Sequence, residues 1–145
     1  MKRDLKSLVV LFKAQQSLEN VVKQSLENTS LSVNEFTALE ALNSKGSLNT
    51  KQLADYVLIP NSSMTYVLDN LSKKNLVIRK RSENDRRVQF ITLTSEGKQL
   101  FDDIFQIHLE HMRPIFDVLT QQEEEILQES LKKIGKTAQN RLEHN

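Results

Sequence analysis

No cysteine occurs anywhere in the sequence. Its absence excludes disulfides, thiolate metal sites and any switch that works by cysteine oxidation. Tryptophan is missing too, and the chain holds only two prolines and three glycines. So few breakers favour long helices over a loop-rich fold. No apolar run approaches the roughly 20 residues that a bilayer-spanning helix needs. The amino terminus MKRDLKSLVV is basic, but the apolar run behind it stops at Lys13, too short for a signal peptide. A cytoplasmic protein with no membrane contact is the expectation. Neither charge sign dominates, with 20 Lys and Arg against 19 Asp and Glu. The 145 residues, 38% of them hydrophobic, suit one domain with a modest core. The sequence holds no internal repeat and no low-complexity segment.

Against that even balance, one stretch stands out. Between Lys73 and Arg87 seven cations meet two anions, Glu83 and Asp85, leaving a local charge of +5 on a chain whose total is +1. Just before it, Met64, Val67, Leu68 and Leu71 recur at i, i+3, i+4, i+7, the apolar face of a helix. The opposite face carries Asn61, Ser62, Ser63, Thr65, Tyr66 and Asp69. Two β-rich runs follow, Leu76–Arg81 and Val88–Leu93, joined by the polar tip SENDRR. A polar helix beside an Arg-tipped hairpin is an electrostatic footprint for double-stranded DNA. The helix fits a major groove. An Arg-ended ribbon reaches the flanking minor groove, where negative potential attracts guanidinium.

Upstream, residues 4–28 read as one helix with an apolar stripe. Ser32 and Glu35 form a capping box, with Leu31 and Phe36 as a hydrophobic staple. That second helix runs to about Ser44 and ends at Gly46. Ser47-Leu48-Asn49 reads as an extended link, and Asn49 or Thr50 caps a third helix, TKQLADYV. Pro60 keeps that helix from continuing. Helix, turn and helix with the polar face on the second member is a DNA-reading arrangement, made specific by the wing behind it. Downstream, Thr94-Ser95-Glu96-Gly97 opens a fifth helix reaching about Leu119, with Pro114 bending it. Thr120 and Glu123 cap a sixth.

The expected fold is therefore mainly α with a small β-wing. A winged helix-turn-helix at 30–95 lies within a single domain, 1–145, flanked by long terminal helices at 1–28 and 98–145. A 24-residue helix is roughly 36 Å long, more than one small domain covers. The uncovered stripes predict a homodimer, with recognition helices roughly 34 Å apart on a pseudo-palindromic site.

These residues also resemble a known family. DRRVQFITLTSEG, Asp85–Gly97, is similar to the wing signature of the MarR family, D-x-R followed by an apolar strand and L-T-x-x-G. KQLADYVLIPNSSMTYVLDNLSKKNLVIR and NEFTALEAL sit where that family has its helix-turn-helix and the helix before it. The resemblance covers nearly the whole chain and is nearest to members that respond to hydroquinones, quinones and catechols. It implies an obligate dimer, usually a repressor, released from DNA by a small aromatic effector. It also implies that Arg87 enters the minor groove, that Asp85 orients it, and that Asn61, Ser62, Ser63, Thr65 and Tyr66 supply the recognition-helix contacts. Arg86 is assigned to phosphate. Many members carry Arg where this chain has Tyr66, a departure that bears on base preference. The branch that senses hydroperoxides through cysteine has no counterpart here.

For the effector, Phe12, Phe36, Glu40, His108 and His111 offer aromatic surface with a carboxylate and imidazoles for hydroxyl groups. Three of them have a plainer role as well, Phe36 as a staple residue, Phe12 as core and His108 as a satisfied histidine at the helix interface. His108 and His111, three apart beside Glu110, also allow a zinc reading, but no third ligand is evident. Neither a phosphate loop nor a nucleophile elbow occurs, so no enzyme, cofactor or metal is expected. The rival class is a winged-helix protein-interaction module, or a DNA-binding regulator with no ligand.

Overall fold

The computed structural model describes residues 3–57, 59 and 61–144, and for Asn61 the backbone alone. The expected stop at Pro60 and the contact assigned to the Asn61 side chain lie outside them. The chain packs as two compact units, 1–109 and 110–145.

In the first unit, α1 (Lys6–Leu26) leads to α2 (Val33–Lys45), β1 (Leu48–Asn49), α3 (Thr50–Val57) and α4 (Asn61–Lys73). The wing strands β2 (Val77–Arg81) and β3 (Gln89–Leu93) follow, then α5 (Ser95–Phe116). The core lies where α2, α3 and α4 meet the sheet, with Leu39, Leu53, Met64, Leu71 and Ile91 fully enclosed. The four α4 residues spaced for an apolar face are all buried.

Chain chemistry sets each helix end. Ser32 Oγ accepts from the Glu35 amide at 3.1 Å while Glu35 Oε1 accepts from the Ser32 amide at 2.9 Å, completing the capping box. Gly46 ends α2 at φ 78°, a conformation that a Cβ would strain. Asn49 caps α3: its Oδ1 accepts from the Gln52 amide at 2.7 Å, and Gln52 Oε1 accepts from the Asn49 amide at 3.0 Å. Past α4, Asn75 takes a left-handed turn at φ 62°, which lets the Leu76 amide reach Leu71 O at 2.9 Å. Thr94 then opens α5, accepting from the Gly97 amide at 2.9 Å and donating to Asn75 O at 2.7 Å.

Two expectations need correction. Ser47-Leu48-Asn49 is more than a link, because Leu48 and Asn49 pair antiparallel with Ile91 and Phe90, giving a three-stranded sheet in the order β1-β3-β2. Two residues carry no alternation that could announce a strand. The fifth helix ends at Phe116 rather than Leu119, closing in a turn where the Leu119 amide reaches Phe116 O at 3.0 Å.

The second unit takes in the end of α5 and all of α6 (Gln121–Glu143). Thr120 and Glu123 form the reciprocal cap, with Glu123 and Glu124 at the positive helix end. Arg113 bonds Asp117 and Glu124 there. No residue of α6 is buried.

Candidate nucleic-acid interface

The polar face of α4 points outward. Ser62, Thr65 and Tyr66 are exposed, Tyr66 to 70%, and Ser63 is half-buried beside them. One residue of this face would repel DNA, the carboxylate of Asp69. Arg79 on β2 donates to it at 2.7 Å, offsetting that charge and tying α4 to the wing.

The wing tip is built around Ser82 and Asp85. The Ser82 amide bonds Val88 O at 2.8 Å and the Val88 amide bonds Asp85 O at 3.0 Å, closing the hairpin. Ser82 Oγ accepts from the amides of Asn84 and Asp85. Asp85 then holds Arg87: Oδ1 accepts from Nε at 3.1 Å and from the backbone amide at 3.0 Å, and Oδ2 from a terminal nitrogen at 3.3 Å. The guanidinium keeps the Asp85 carboxyl below the usual carboxylate range, so the pair stays charged. Yet the Arg87 side chain is 91% exposed. It is aimed but uncovered, and its planar fork retains donors for a second partner.

The local charge of +5 overstates what faces outward. Lys74, although exposed, is already committed: its Nζ donates to Glu35 Oε2 at 2.9 Å and to Ser30 O at 2.8 Å. Burial alone would push the Glu35 carboxyl up, but the Ser32 amide and Lys74 together hold it below its ordinary value. With Arg79 on Asp69 as well, two of the seven cations are structural.

A feature the sequence did not disclose lies beside the wing. A cleft of about 600 Å³ opens between the start of α3 and the hairpin. Lys51 lines it from α3, Arg81, Arg86 and Arg87 from the wing, and Val88 and Gln89 from β3. Among the described residues no acidic side chain lines it. Lys51 and Arg81 are thirty positions apart, and the β1–β3 pairing is what brings them to one cleft.

The residues singled out for an effector divide. Phe36 and His108 meet, with ring centroids 4.9 Å apart, and Phe36 also stacks on Phe101 at 5.4 Å. The imidazole Nδ1 lies 2.8 Å from the Oγ of buried Ser25, a partner with no sequence signal because serines are too common to mark. Glu40, one turn beyond Phe36, is half-buried, and burial pushes its carboxyl up. Phe12 stands apart from this enclosed group, 60% exposed on α1. His111 belongs to the second unit. Among the described residues no three His, Asp or Glu side chains converge as metal ligands, and no helix is long and apolar enough to cross a membrane.

Residues 31–88 match the family model described as "MarR family". The HTH-type transcriptional regulator MhqR of Bacillus subtilis (strain 168) is 36% identical over 137 residues, covering 94% of each chain. Among solved structures, NadR in complex with 4-hydroxyphenylacetate is 25% identical, with a TM-score of 0.80 over 92% of this chain and 95% of that one. AbsC from Streptomyces coelicolor shares the fold at 20% identity, with a TM-score of 0.86 over 97% of each chain.

Proposed function

The chain belongs to the MarR family of winged-helix transcriptional regulators, and from that premise we propose that it is a homodimeric repressor whose grip on a pseudo-palindromic operator is released by a small aromatic effector. The observation that carries this reading is the wing tip, an exposed Arg87 oriented by Asp85 beside an outward polar helix. On this reading Arg87 enters the minor groove, Arg86 meets phosphate, and Ser62, Ser63, Thr65 and Tyr66 face the major groove, with Asn61 at the same helix end.

The dimer rests on surface that the single chain leaves bare. Leu5 at the head of α1, Val9 and Phe12 on it, and Ile126, Ile134 and Leu142 on α6, are all exposed. Full burial of each such side chain stabilises by about 1.5–3 kcal/mol. Several together offset an association cost of ~4–15 kcal/mol.

The effector site proposed is the group around Phe36 and His108, with Glu40 for a hydroxyl. Phe36 offers a ring face, and the half-buried Glu40 carboxyl accepts from a phenol more readily than from water. NadR binds 4-hydroxyphenylacetate, a ligand of this chemical class. A ligand that binds the DNA-free state 100-fold better shifts the equilibrium by about 2.7 kcal/mol, a loss of about 100-fold in operator affinity.

The test combines sedimentation with a gel shift on genomic fragments, titrated with hydroquinone, catechol and 4-hydroxyphenylacetate. A dimer with salt-sensitive binding, displaced by at least one of these compounds, is expected. A monomer without DNA affinity would refute the whole reading, and binding indifferent to all three would refute the effector.

A further inference from the structure

We infer that the cleft between α3 and the wing is a clamp for a single DNA phosphodiester, gripped by Lys51 from one wall and Arg81 from the other. This rests on the DNA-binding reading above and adds to it a contact independent of base sequence. Lys74, Arg79 and Arg87 each have a carboxylate partner. Among the described residues, Lys51, Arg81 and Arg86 have none within ion-pair distance, and all three line this cleft.

Like charges collected without a counter-charge repel one another unless an anion sits between them. The order of the chain shows the placement is built. Arg81 is the last residue of β2, paired in register with Gln89, which forms part of the floor. Lys51 lies two residues past the Asn49 cap, so the sheet and the helix cap fix the backbone that carries it. The cleft lies between the wing that carries Arg87 and the helix pair that carries the recognition face. A duplex running from a major groove on α4 to a minor groove at Arg87 passes its backbone between those two contacts. The cleft's volume of about 600 Å³ takes a phosphate with its sugar and leaves room for water.

The experiment measures the dissociation constant by fluorescence anisotropy across a salt series. It uses the full chain, a duplex recovered by binding selection, and a scrambled duplex of the same composition. Wild type, Lys51→Ala, Arg81→Ala and the double variant are compared, with matching thermal melts to establish folding. Losing one phosphate contact per protomer lowers the slope of log K against log salt by about 0.9, or about 1.8 for a dimer. Each single variant should approach that loss equally on both duplexes, leaving the specificity ratio unchanged. The double variant should lose less than the sum of the singles, because both cations hold one phosphate. Additive losses would mean two separate phosphates and overturn the clamp, as would unchanged slopes. A wild-type chain that binds no duplex removes the DNA reading itself, whereas wild-type binding with unaffected variants removes only this inference. Phosphorus NMR with inorganic phosphate is the second arm. Tight binding of free phosphate, abolished by Lys51→Ala while the salt slopes stay put, would assign the cleft to a free anion and overturn its assignment to DNA.

Discussion

Replacing Gly97 by Ala tests how the reader is fastened to the helix behind it. A Cβ on Gly97 would lie 2.0 Å from the carbonyl oxygen of Leu76, 3.0 Å from its carbon and 3.2 Å from its Cα. Those atoms are backbone, so no side chain can swing aside. Restoring even the 3.0 Å floor of real contacts moves α5 and the α4–β2 junction about 1 Å apart. Overpacking of this kind costs about 1–3 kcal/mol, and an immovable neighbour places it at the upper end. The same shift pulls on two bonds, Gly97 amide to Thr94 Oγ1 at 2.9 Å and Thr94 amide to Leu76 O at 3.1 Å, each worth about 1 kcal/mol. Against this, Ala gains about 1 kcal/mol over Gly within a helix. The net loss is about 2–3 kcal/mol, or a fall of about 4–12 °C in Tm for a chain of this size. Urea denaturation followed by circular dichroism, at fixed protein concentration, measures it. Gly135→Ala is the internal control, because nothing lies within 4 Å of its Cβ position and the change should stabilise by about 1 kcal/mol. If Gly97→Ala unfolds within about 0.5 kcal/mol of wild type, the close approach does not constrain this junction and the reasoning fails.

Other expectations follow from the same contacts. Lys74→Met leaves the Glu35 carboxylate with only its Ser32 bonds; because the Lys74 side chain is 40% exposed and Glu35 8%, the cost is discounted to about 1–2 kcal/mol, read in the same urea assay. The Glu35 carboxyl is held below its ordinary 4.5, so its contribution is present above that pH and lost as pH falls through the folded value. Stability profiles from pH 7 downward should therefore show a shallower acid limb in Lys74→Met than in wild type, and parallel limbs would contradict the pairing. Ser32→Ala removes the cap of α2 and should cost about 1 kcal/mol by chemical denaturation. Arg87→Lys keeps the charge but loses the fork that Asp85 aligns, so operator affinity should weaken by about 1–3 kcal/mol in a binding titration while the melt stays unchanged.

Much of this molecule was legible in its residues because the signals are local. Ser32 with Glu35, and Thr120 with Glu123, announce helix starts within four positions, and both boxes form. Met64, Val67, Leu68 and Leu71 repeat at the helical period, so the outward face of α4 followed from the inward one. Asp85 and Arg87 sit two apart on a hairpin tip, close enough to pair without help from the rest of the chain. What the residues could not convey were meetings between distant segments. Nothing in a Leu-Asn dipeptide marks it as a strand until β3 supplies the partner. The count of seven cations treated Lys74 and Arg79 like their neighbours, whereas Glu35 and Asp69, thirty-nine and ten positions away, take them out of the exposed field. Ser25 finds His108 across eighty-three residues, and Lys51 finds the wing only through the sheet. Caps, periods and turns are set by short-range sterics and hydrogen bonding, which composition and spacing encode directly. Which charges stay free, and which faces enclose a cleft, depends on where the packed core brings remote backbone together.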